Sequence, residues 1–345
     1  MHASDGLPPP QRGWAMLAIG LAIAMAVLDG AIANVALPTI ARDLAATPAD
    51  SVWVVNAYQL VITILMLPLA SAGEIVGYRR VYRIGLAVFT LASLACALSD
   101  SLLVLTLARV AQGVGAAGVM SVNAALVRFI YPRQLLGRGI GIVALVVAVS
   151  AAVGPTVASA ILSVASWPWL FAVNVPLGVV TLVAAQALPR TPGATHRFDL
   201  TSAVLNALFF GLLIVAIDSI GHGERVLLVA LAFLGAAASG VALVVRQLPQ
   251  ASPLLPVDLL RIPLFALSIA TSVCSFTAQM LAYVAIPFYF QDVLGRGAVA
   301  TGLLMTPWPV ATAVLAPIAG RLADRYHPGL LGALGLAVFA AGLAL

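Results

Sequence analysis

The chain has 345 residues, of which 62% are hydrophobic and only 8% are charged, with a mean hydropathy of +1.10 and a formal net charge of +5. A soluble domain carries about 25% charged residues, so this composition excludes a soluble globular protein and indicates an integral membrane protein. The 17 basic residues are all arginine, and in a membrane protein such a basic excess is a topology signal rather than a nucleic-acid surface.

Eleven apolar segments follow one another along the chain. Each is close to the roughly 20 residues that a helix needs to cross a bilayer. Only helices and closed barrels satisfy the backbone in lipid, and the alternation typical of a barrel is missing from the sequence. We therefore predict an all-α membrane protein with spans at 14–37, 51–71, 81–99, 102–127, 138–163, 168–188, 201–220, 226–245, 264–290, 298–319 and 329–345.

The arginines are unevenly distributed between the two sides of the predicted spans. Most of them precede the first span or fall in every second loop after it, whereas the intervening loops hold only Arg42, Arg225 and Arg296. Basic residues accumulate on the cytoplasmic side of membrane proteins. The pattern therefore predicts a cytoplasmic N-terminus.

Two proline-rich loops divide the chain. "PRTPGATHRFD" (189–199) follows six spans, and "RQLPQASPLLPVDLLRIP" (246–263) follows two more. We predict an N-terminal six-helix half at 1–190, a two-helix insertion with cytoplasmic linkers at 191–260, and an incomplete C-terminal half of three helices at 261–345. Because the sequence stops inside an apolar run, we also expect it to be a truncated fragment.

The first span contains a carboxylate, in the stretch "LDGAIANVALPTI" (28–40). Asp29 lies about 22 Å along the helix from Trp14 at 1.5 Å per residue, well inside the bilayer. A charge at that depth is costly, faces the interior of the bundle and is functional by default. We therefore expect Asp29 to take up and release a proton; a structural cap or ion pair is the alternative.

Four stretches together resemble the major facilitator superfamily and, within it, the drug:proton antiporters with fourteen helices. The stretch around Asp29 resembles their first-helix signature, and "SWPWLFAVNVPLG" (166–178) resembles the start of their sixth helix. "AVGPT" (152–156) resembles the Gly-Pro antiporter motif of the fifth helix, at Gly154 and Pro155. The resemblance implies a helical bundle of which about eleven of fourteen transmembrane helices are present.

The fourth-helix motif of that family, Arg-x-x-Gln-Gly-x-Gly, matches Arg109, Gln112, Gly113 and Gly115. Arginine cannot release its proton, so inside the bilayer Arg109 needs a carboxylate or a set of carbonyls. The resemblance implies that Arg109 couples to protons, and we expect it to tune the titration of Asp29 or of a bound cation. A purely structural salt bridge or carbonyl bond is the alternative, and the glycines are explained equally well by helix packing.

Two loops echo each other after the second and tenth spans, which indicates two pseudo-equivalent halves. The resemblance implies that both loops latch the cytoplasmic side and take part in gating. Both depart from the family pattern, with Ile75 at an arginine position in the first and His327 at a glycine position in the second. The predicted gating residues are Glu74, Gly77, Arg79 and Arg80 in "ASAGEIVGYRR" and Gly320, Asp324 and Arg325 in "GRLADRYHP".

Aromatic and amide side chains suggest a path for substrate, because they suit a wide pocket for amphipathic molecules and aromatic rings attract cations. Taken singly, each of them is more typical of an interface anchor or a core residue, so only the set points to a substrate path. The candidates are Asn34, Trp53, Asn56, Tyr58 and Gln59 in the first half and Gln279, Tyr283, Phe288 and Tyr289 in the second.

The resemblance implies a proton-coupled secondary transporter that exports small amphipathic or drug-like molecules across the bacterial inner membrane by alternating access. Its partners are a small-molecule substrate, protons and the lipid bilayer, and nucleic acid is not among them. Whether a periplasmic adaptor is a further partner is left open. We predict no catalytic residue, metal or cofactor, because the chain has no Walker lysine and no histidine pair with metal spacing. The alternatives are a proton symporter or metabolite exporter of the same fold, or a non-transporting truncated remnant.

Overall fold

The structure, a computed structural model, describes residues 6–194, 198–221, 225–250, 257–295, 304, 307–323, 326 and 328–344. Within these ranges there are helices and no strand, which confirms the predicted all-α class. The helices are α1 (Pro9–Asp43), α2 (Pro48–Ser51), α3 (Trp53–Val76), α4 (Tyr78–Ala97), α5 (Leu102–Ile130), α6 (Leu136–Val164), α7 (Pro168–Ala172), α8 (Asn174–Ala184), α9 (Leu200–Gly221), α10 (Val226–Gln247), α11 (Pro263–Phe288), α12 (Pro307–Ala323) and α13 (Pro328–Ala344).

Eight stretches of helix in the described part of the chain are long and apolar enough to cross a membrane, and they correspond to the first eight predicted spans. Shorter apolar helices at Pro263–Gln279 and Gly329–Leu343 correspond to the ninth and eleventh, and α12 corresponds to the tenth. Proline does not end α1, which runs through Pro38 to Asp43, because packed membrane helices tolerate the single hydrogen bond that a proline removes.

The helices form two compact units. The first comprises Met1–Val143 and Val153–Pro256, and the second comprises Ala144–Ala152 and Val257–Leu345. In the first, α5 packs along α3 and α4, α1 crosses α8, α5 and α3, and the α9–α10 hairpin lies against α3. In the second, α11 continues into a π-helical turn at Tyr289–Val293, and α12 contacts α13 through the rings of Trp308 and Phe339, with centroids 5.9 Å apart.

Glycine sets the spacing between α4 and α5. A Cβ atom added at Gly115 would lie 2.3 Å from the backbone nitrogen of Phe89, so only glycine allows this crossing. Close backbone approach of this kind drives helix association in lipid, where dispersion contacts replace the hydrophobic effect. The tight crossing fixes the α5 residues that lie one to two turns towards its N-terminus, including Gln112 and Arg109.

Prolines free two backbone carbonyls that shape the first unit. Pro68 inside α3 has no N–H for the carbonyl of Ile64, and the side-chain amide of Asn206 on α9 donates to that carbonyl instead, at 2.8 Å. Pro176 likewise cannot bond the carbonyl of Ala172, and the predicted span at 168–188 is divided there into α7 and α8. The bond from Asn206 anchors the α9–α10 hairpin to α3. The division at Pro176 places Asn174 at the start of α8.

Candidate functional site

Asp29 on α1 and Arg109 on α5 meet at the centre of the first unit and form an ion pair. Their exposed fractions are 2% and 0%, so neither charge is solvated by water. Isolated charges in such a setting cost several kcal/mol each, and removing one partner alone would leave the other uncompensated. The two predicted coupling residues are therefore brought into direct contact.

The carboxylate of Asp29 accepts hydrogen bonds from three side chains. Arg109 donates to Oδ2, and Gln112 and Asn174 donate to Oδ1 at 2.8 Å and 2.9 Å. All three donors are buried. Hydrogen bonds to an ionised group are about twice as strong as neutral ones, so these three donors fix the carboxylate between α1, α5 and α8.

The guanidinium of Arg109 is held by a backbone carbonyl and two aromatic rings. Its Nε donates to the carbonyl of Val54 at 2.9 Å. The ring of Tyr58 lies 4.1 Å from its central carbon, and the ring of Phe171 lies 5.5 Å away. Cations are attracted to ring faces most strongly in desolvated sites. Arg109 thus connects α5 to α1, α3 and α7.

Gln112 joins the ion pair to α4. Its Oε1 accepts from Arg109 at 2.7 Å, and its Nε2 donates to the hydroxyl of Ser93 at 2.9 Å as well as to Asp29. The thiol of Cys96 lies 3.5 Å from the same Oε1. We call Asp29, Arg109, Gln112, Asn174 and Ser93 the buried polar cluster. In this cluster the ion pair of Asp29 and Arg109 is bonded to α4 through Ser93 and to α8 through Asn174.

Two of these residues, Asn174 and Ser93, are not among the predicted site residues, and Gln112 was predicted only as part of a packing motif. Asparagine within an apolar helix carries an unsatisfied amide unless a neighbouring helix provides a partner. That signal, inside "SWPWLFAVNVPLG", could have marked Asn174. Ser93 has no such signal, since its hydroxyl also bonds the carbonyl of Phe89 one turn earlier.

The Gly-Pro motif lies where α6 meets α1. A Cβ atom added at Gly154 would lie 2.6 Å from the Cβ of Ala31, two residues beyond Asp29. Pro155 is half-buried beside it. In the fourth-helix motif, Gly113 faces α3, where an added Cβ would lie 2.9 Å from the carbonyl of Tyr58. Both motifs therefore border the helices that carry the buried polar cluster.

The first predicted latch loop forms the turn between α3 and α4. Gly77 has φ +97°, a left-handed conformation that favours glycine. Arg79 donates to the carbonyl of Gln186 at 2.8 Å, and Glu74 and Arg80 are exposed. Gly320 lies within α12, while Asp324 and Arg325 lie outside the described residues.

Within each unit, the predicted substrate-path residues lie in different surroundings. Asn34 is exposed and bonds the carbonyl of Gly30 on its own helix. Tyr58 lies on the guanidinium of Arg109, and its hydroxyl donates to the carbonyl of Ala26 at 3.1 Å. The side chains of Tyr283 and Phe288 lie outside the described set. Of the remaining candidates, three are half-buried, namely Trp53, Asn56 and Gln279, and two are exposed, namely Gln59 and Tyr289.

A second polar cluster lies at the start of the α9–α10 hairpin. Asp199 caps α9 by accepting from the backbone and hydroxyl of Ser202, and it also accepts from Gln250 and Arg246. Partial burial raises the pKa of Asp199, but the hydrogen bonds from Ser202, Gln250 and Arg246 outweigh it and hold the pKa well below its usual range. In the described chain, no group of three His, Cys, Asp or Glu residues is placed to hold a metal ion.

Comparisons with known proteins identify relatives over almost the whole length. Residues 19–345 match the family described as Major Facilitator Superfamily. The chain is 61% identical over 343 residues to the "Uncharacterized transporter YebQ" of Escherichia coli K12, covering 99% of this chain and 75% of that protein. It is 33% identical over 314 residues to the "Multidrug resistance protein Stp" of Mycobacterium tuberculosis, covering 90% of this chain and 58% of that protein.

Among solved structures, the fold is similar to that of the proton:xylose symporter XylE bound to 6-bromo-6-deoxy-D-glucose. The TM-score is 0.62 and the sequence identity 12%, covering 92% of this chain and 70% of that one. At this identity the likeness concerns the fold alone.

Proposed function

This chain belongs to the major facilitator superfamily, and we propose that it is a proton-coupled exporter of small amphipathic or drug-like molecules in the bacterial inner membrane. Membership makes it a multi-pass membrane transporter and not an enzyme. The proposal adds the coupling ion, the direction and the cargo class, and it places the chain with the fourteen-helix drug:proton antiporters. Its main support is the ion pair of Asp29 and Arg109, buried together and enclosed by amide donors.

The chemistry of this pair supports proton coupling. With Asp29 ionised, three donors satisfy the carboxylate, one of them the cation of Arg109, and the cluster is neutral overall. A proton taken up from water on one side of the membrane removes the negative charge, so the bond from Arg109 loses its Coulomb attraction and the guanidinium is left uncompensated. The protonated and ionised forms therefore favour different packings of α1 against α5, and release of the proton on the other side restores the pair.

Exchange of a proton for cargo requires that the two states differ in which side of the membrane they open to. A ligand shifts such an equilibrium only by its differential affinity for the two states. Proton uptake at Asp29 provides that difference here. The Gly-Pro motif at Gly154 and Pro155 packs against α1 next to Asp29, so a change in α1 reaches α6 directly.

The cargo class rests on the similarity to the multidrug resistance protein Stp of Mycobacterium tuberculosis and on the resemblance of the motifs. The same proposal includes the direction of transport, the cytoplasmic N-terminus predicted by the arginine bias, and the latch loops. Glu74, Arg79 and Arg80 in the first loop and Asp324 and Arg325 in the second would close the cytoplasmic side.

Uptake into inverted membrane vesicles, in which the cytoplasmic side faces outward, tests the proposal. A fluorescent cation such as ethidium is loaded in the presence of a proton gradient, and we expect accumulation by the wild type, collapse on addition of a protonophore, and no accumulation by Asp29→Asn. Asp43→Asn, at the exposed end of the same helix, is the matched control and should transport normally. Accumulation that survives the protonophore would refute proton coupling; failure across a broad panel of amphipathic compounds would refute the cargo class.

A further inference from the structure

A cavity of about 690 Å³ lies beside the turn between α3 and α4, away from the buried polar cluster. Four arginines line it, namely Arg79, Arg80 and Arg83 of α4 and Arg190 of the linker before α9. No carboxylate lines it in the described part of the chain. Like charges this close repel one another, and α4 begins at the cavity with its positive end. The cavity therefore attracts an anion.

The wall opposite α4 is fixed by hydrogen bonds rather than left as a free loop. The hydroxyl of Thr191 accepts from the backbone nitrogen of Tyr78 at 2.8 Å, and the nitrogen of Ala194 donates to the carbonyl of Glu74 at 2.7 Å. Gly193 packs so closely that an added Cβ would lie 2.2 Å from the carbonyl of Ile75. The linker before α9 and the turn between α3 and α4 therefore form one continuous wall of the cavity.

One side of the cavity is apolar. Ile84, Ala87 and Leu182 line it together with the arginines, and the side chain of Ile84 is 64% exposed. Guanidinium groups match phosphate oxygens in pairs of parallel hydrogen bonds. A ligand with a phosphate next to hydrocarbon fits both parts of the site, whereas a small inorganic anion uses only one.

From this combination we propose that the arginine-lined cavity binds the phosphate group of an anionic phospholipid, with its acyl chains along Ile84 and Leu182. Basic pockets between membrane helices on the cytoplasmic side bind such headgroups, and the arginine bias predicts that side for this cavity. A bound lipid would bridge α4 to Arg190 and so hold the linker against the first six helices. The site is separate from the proposed proton coupling and does not depend on it.

Retention of lipid by the purified full chain tests the site. The protein is exchanged into nanodiscs of phosphatidylcholine with a small fraction of phosphatidylglycerol, and copurifying lipid is counted by native mass spectrometry. We expect enrichment of phosphatidylglycerol by the wild type and a loss in Arg80→Gln/Arg83→Gln of about fivefold per arginine, roughly 25-fold in total. Arg128→Gln/Arg138→Gln, which removes two exposed charges outside the cavity, should retain wild-type enrichment.

Thermal melting in detergent separates the two sources of phosphate and checks that the variants are folded. Phosphatidylglycerol that raises the melting temperature of the wild type and control, while inorganic phosphate does not, supports the lipid site. Protection by inorganic phosphate alone overturns it in favour of a soluble ligand. Equal retention of phosphatidylglycerol by the cavity variant and its control overturns it as well, because general surface charge would then explain the binding.

Discussion

The side-chain amide of Asn174 lies 2.9 Å from the carboxylate of Asp29, although 145 residues separate the two in the sequence. Asn174 is the first residue of α8, directly after the helix break that Pro176 imposes by lacking an N–H for Ala172. A backbone irregularity on one side of the bundle thus places a donor on the carboxylate of α1. This contact and the others around Asp29 lead to the first two of four predictions, and the other two concern the α9–α10 hairpin.

Asp29→Asn is expected to abolish uphill export and to lower the melting temperature. The amide cannot carry a proton, and it leaves the buried guanidinium of Arg109 unpaired, which costs about 3–5 kcal/mol. The double variant Asp29→Asn/Arg109→Gln removes both charges, so we expect it to regain much of the lost stability without regaining export. Vesicle transport and melting in detergent measure the two effects. Normal uphill export by the double variant would show that the pair is only structural.

Asn174→Ala is expected to reduce the maximal rate of export severalfold. The variant removes one of the three donors to the carboxylate of Asp29, and hydrogen bonds to charged groups contribute about 1.5–3 kcal/mol. Initial rates of export at saturating substrate in inverted membrane vesicles measure the effect. Asn123→Ala, which removes another buried amide on α5, should keep the wild-type rate. Equal losses of rate in both variants would contradict a specific role.

Asp199→Asn is expected to destabilise the α9–α10 hairpin at neutral pH but not in acid. Because hydrogen bonds hold the pKa of Asp199 below its ordinary value of about 3.9, the ionised carboxylate stabilises the fold above that value. The stabilisation is lost as the pH falls through the lower folded-state pKa. The difference in melting temperature between wild type and variant should be constant from pH 7 to about pH 5 and shrink below about pH 4. If the difference in melting temperature does not change with pH, the shape of the Asp199 side chain, and not its charge, stabilises this cap.

Asn206→Leu is expected to weaken the docking of the hairpin on α3 by about 1–3 kcal/mol, the cost of leaving a buried carbonyl unpaired. The partner in a double-mutant cycle is Pro68→Ala, which restores a backbone donor for the carbonyl of Ile64. In that background the same substitution should cost much less. Unfolding in sodium dodecyl sulfate measures both free energies, and equal costs in the two backgrounds would show that Asn206 acts elsewhere.

Much of the fold and part of the site could be predicted from the sequence. Runs of apolar residues determine the helices because lipid leaves the backbone no alternative, and Asp29 and Arg109 stand out because buried charges are costly. The roles of Gln112 and Tyr58 could not be predicted, since they depend on how closely α3, α4 and α5 approach one another. The α7–α8 break is visible only once the effect of Pro176 on Ala172 is considered.

The attachments of Arg109 have a mechanical consequence. This one side chain is fastened to α1 through Asp29, to α3 through the carbonyl of Val54 and the ring of Tyr58, and to α7 through the ring of Phe171. Movement of any of these helices against α5 must therefore break or stretch at least one contact of this side chain. Under the proposed mechanism, a proton on Asp29 would weaken the contact with α1, while the contacts with α3 and α7 would remain. Proton uptake would then release α1 from α5 without loosening the rest of this unit.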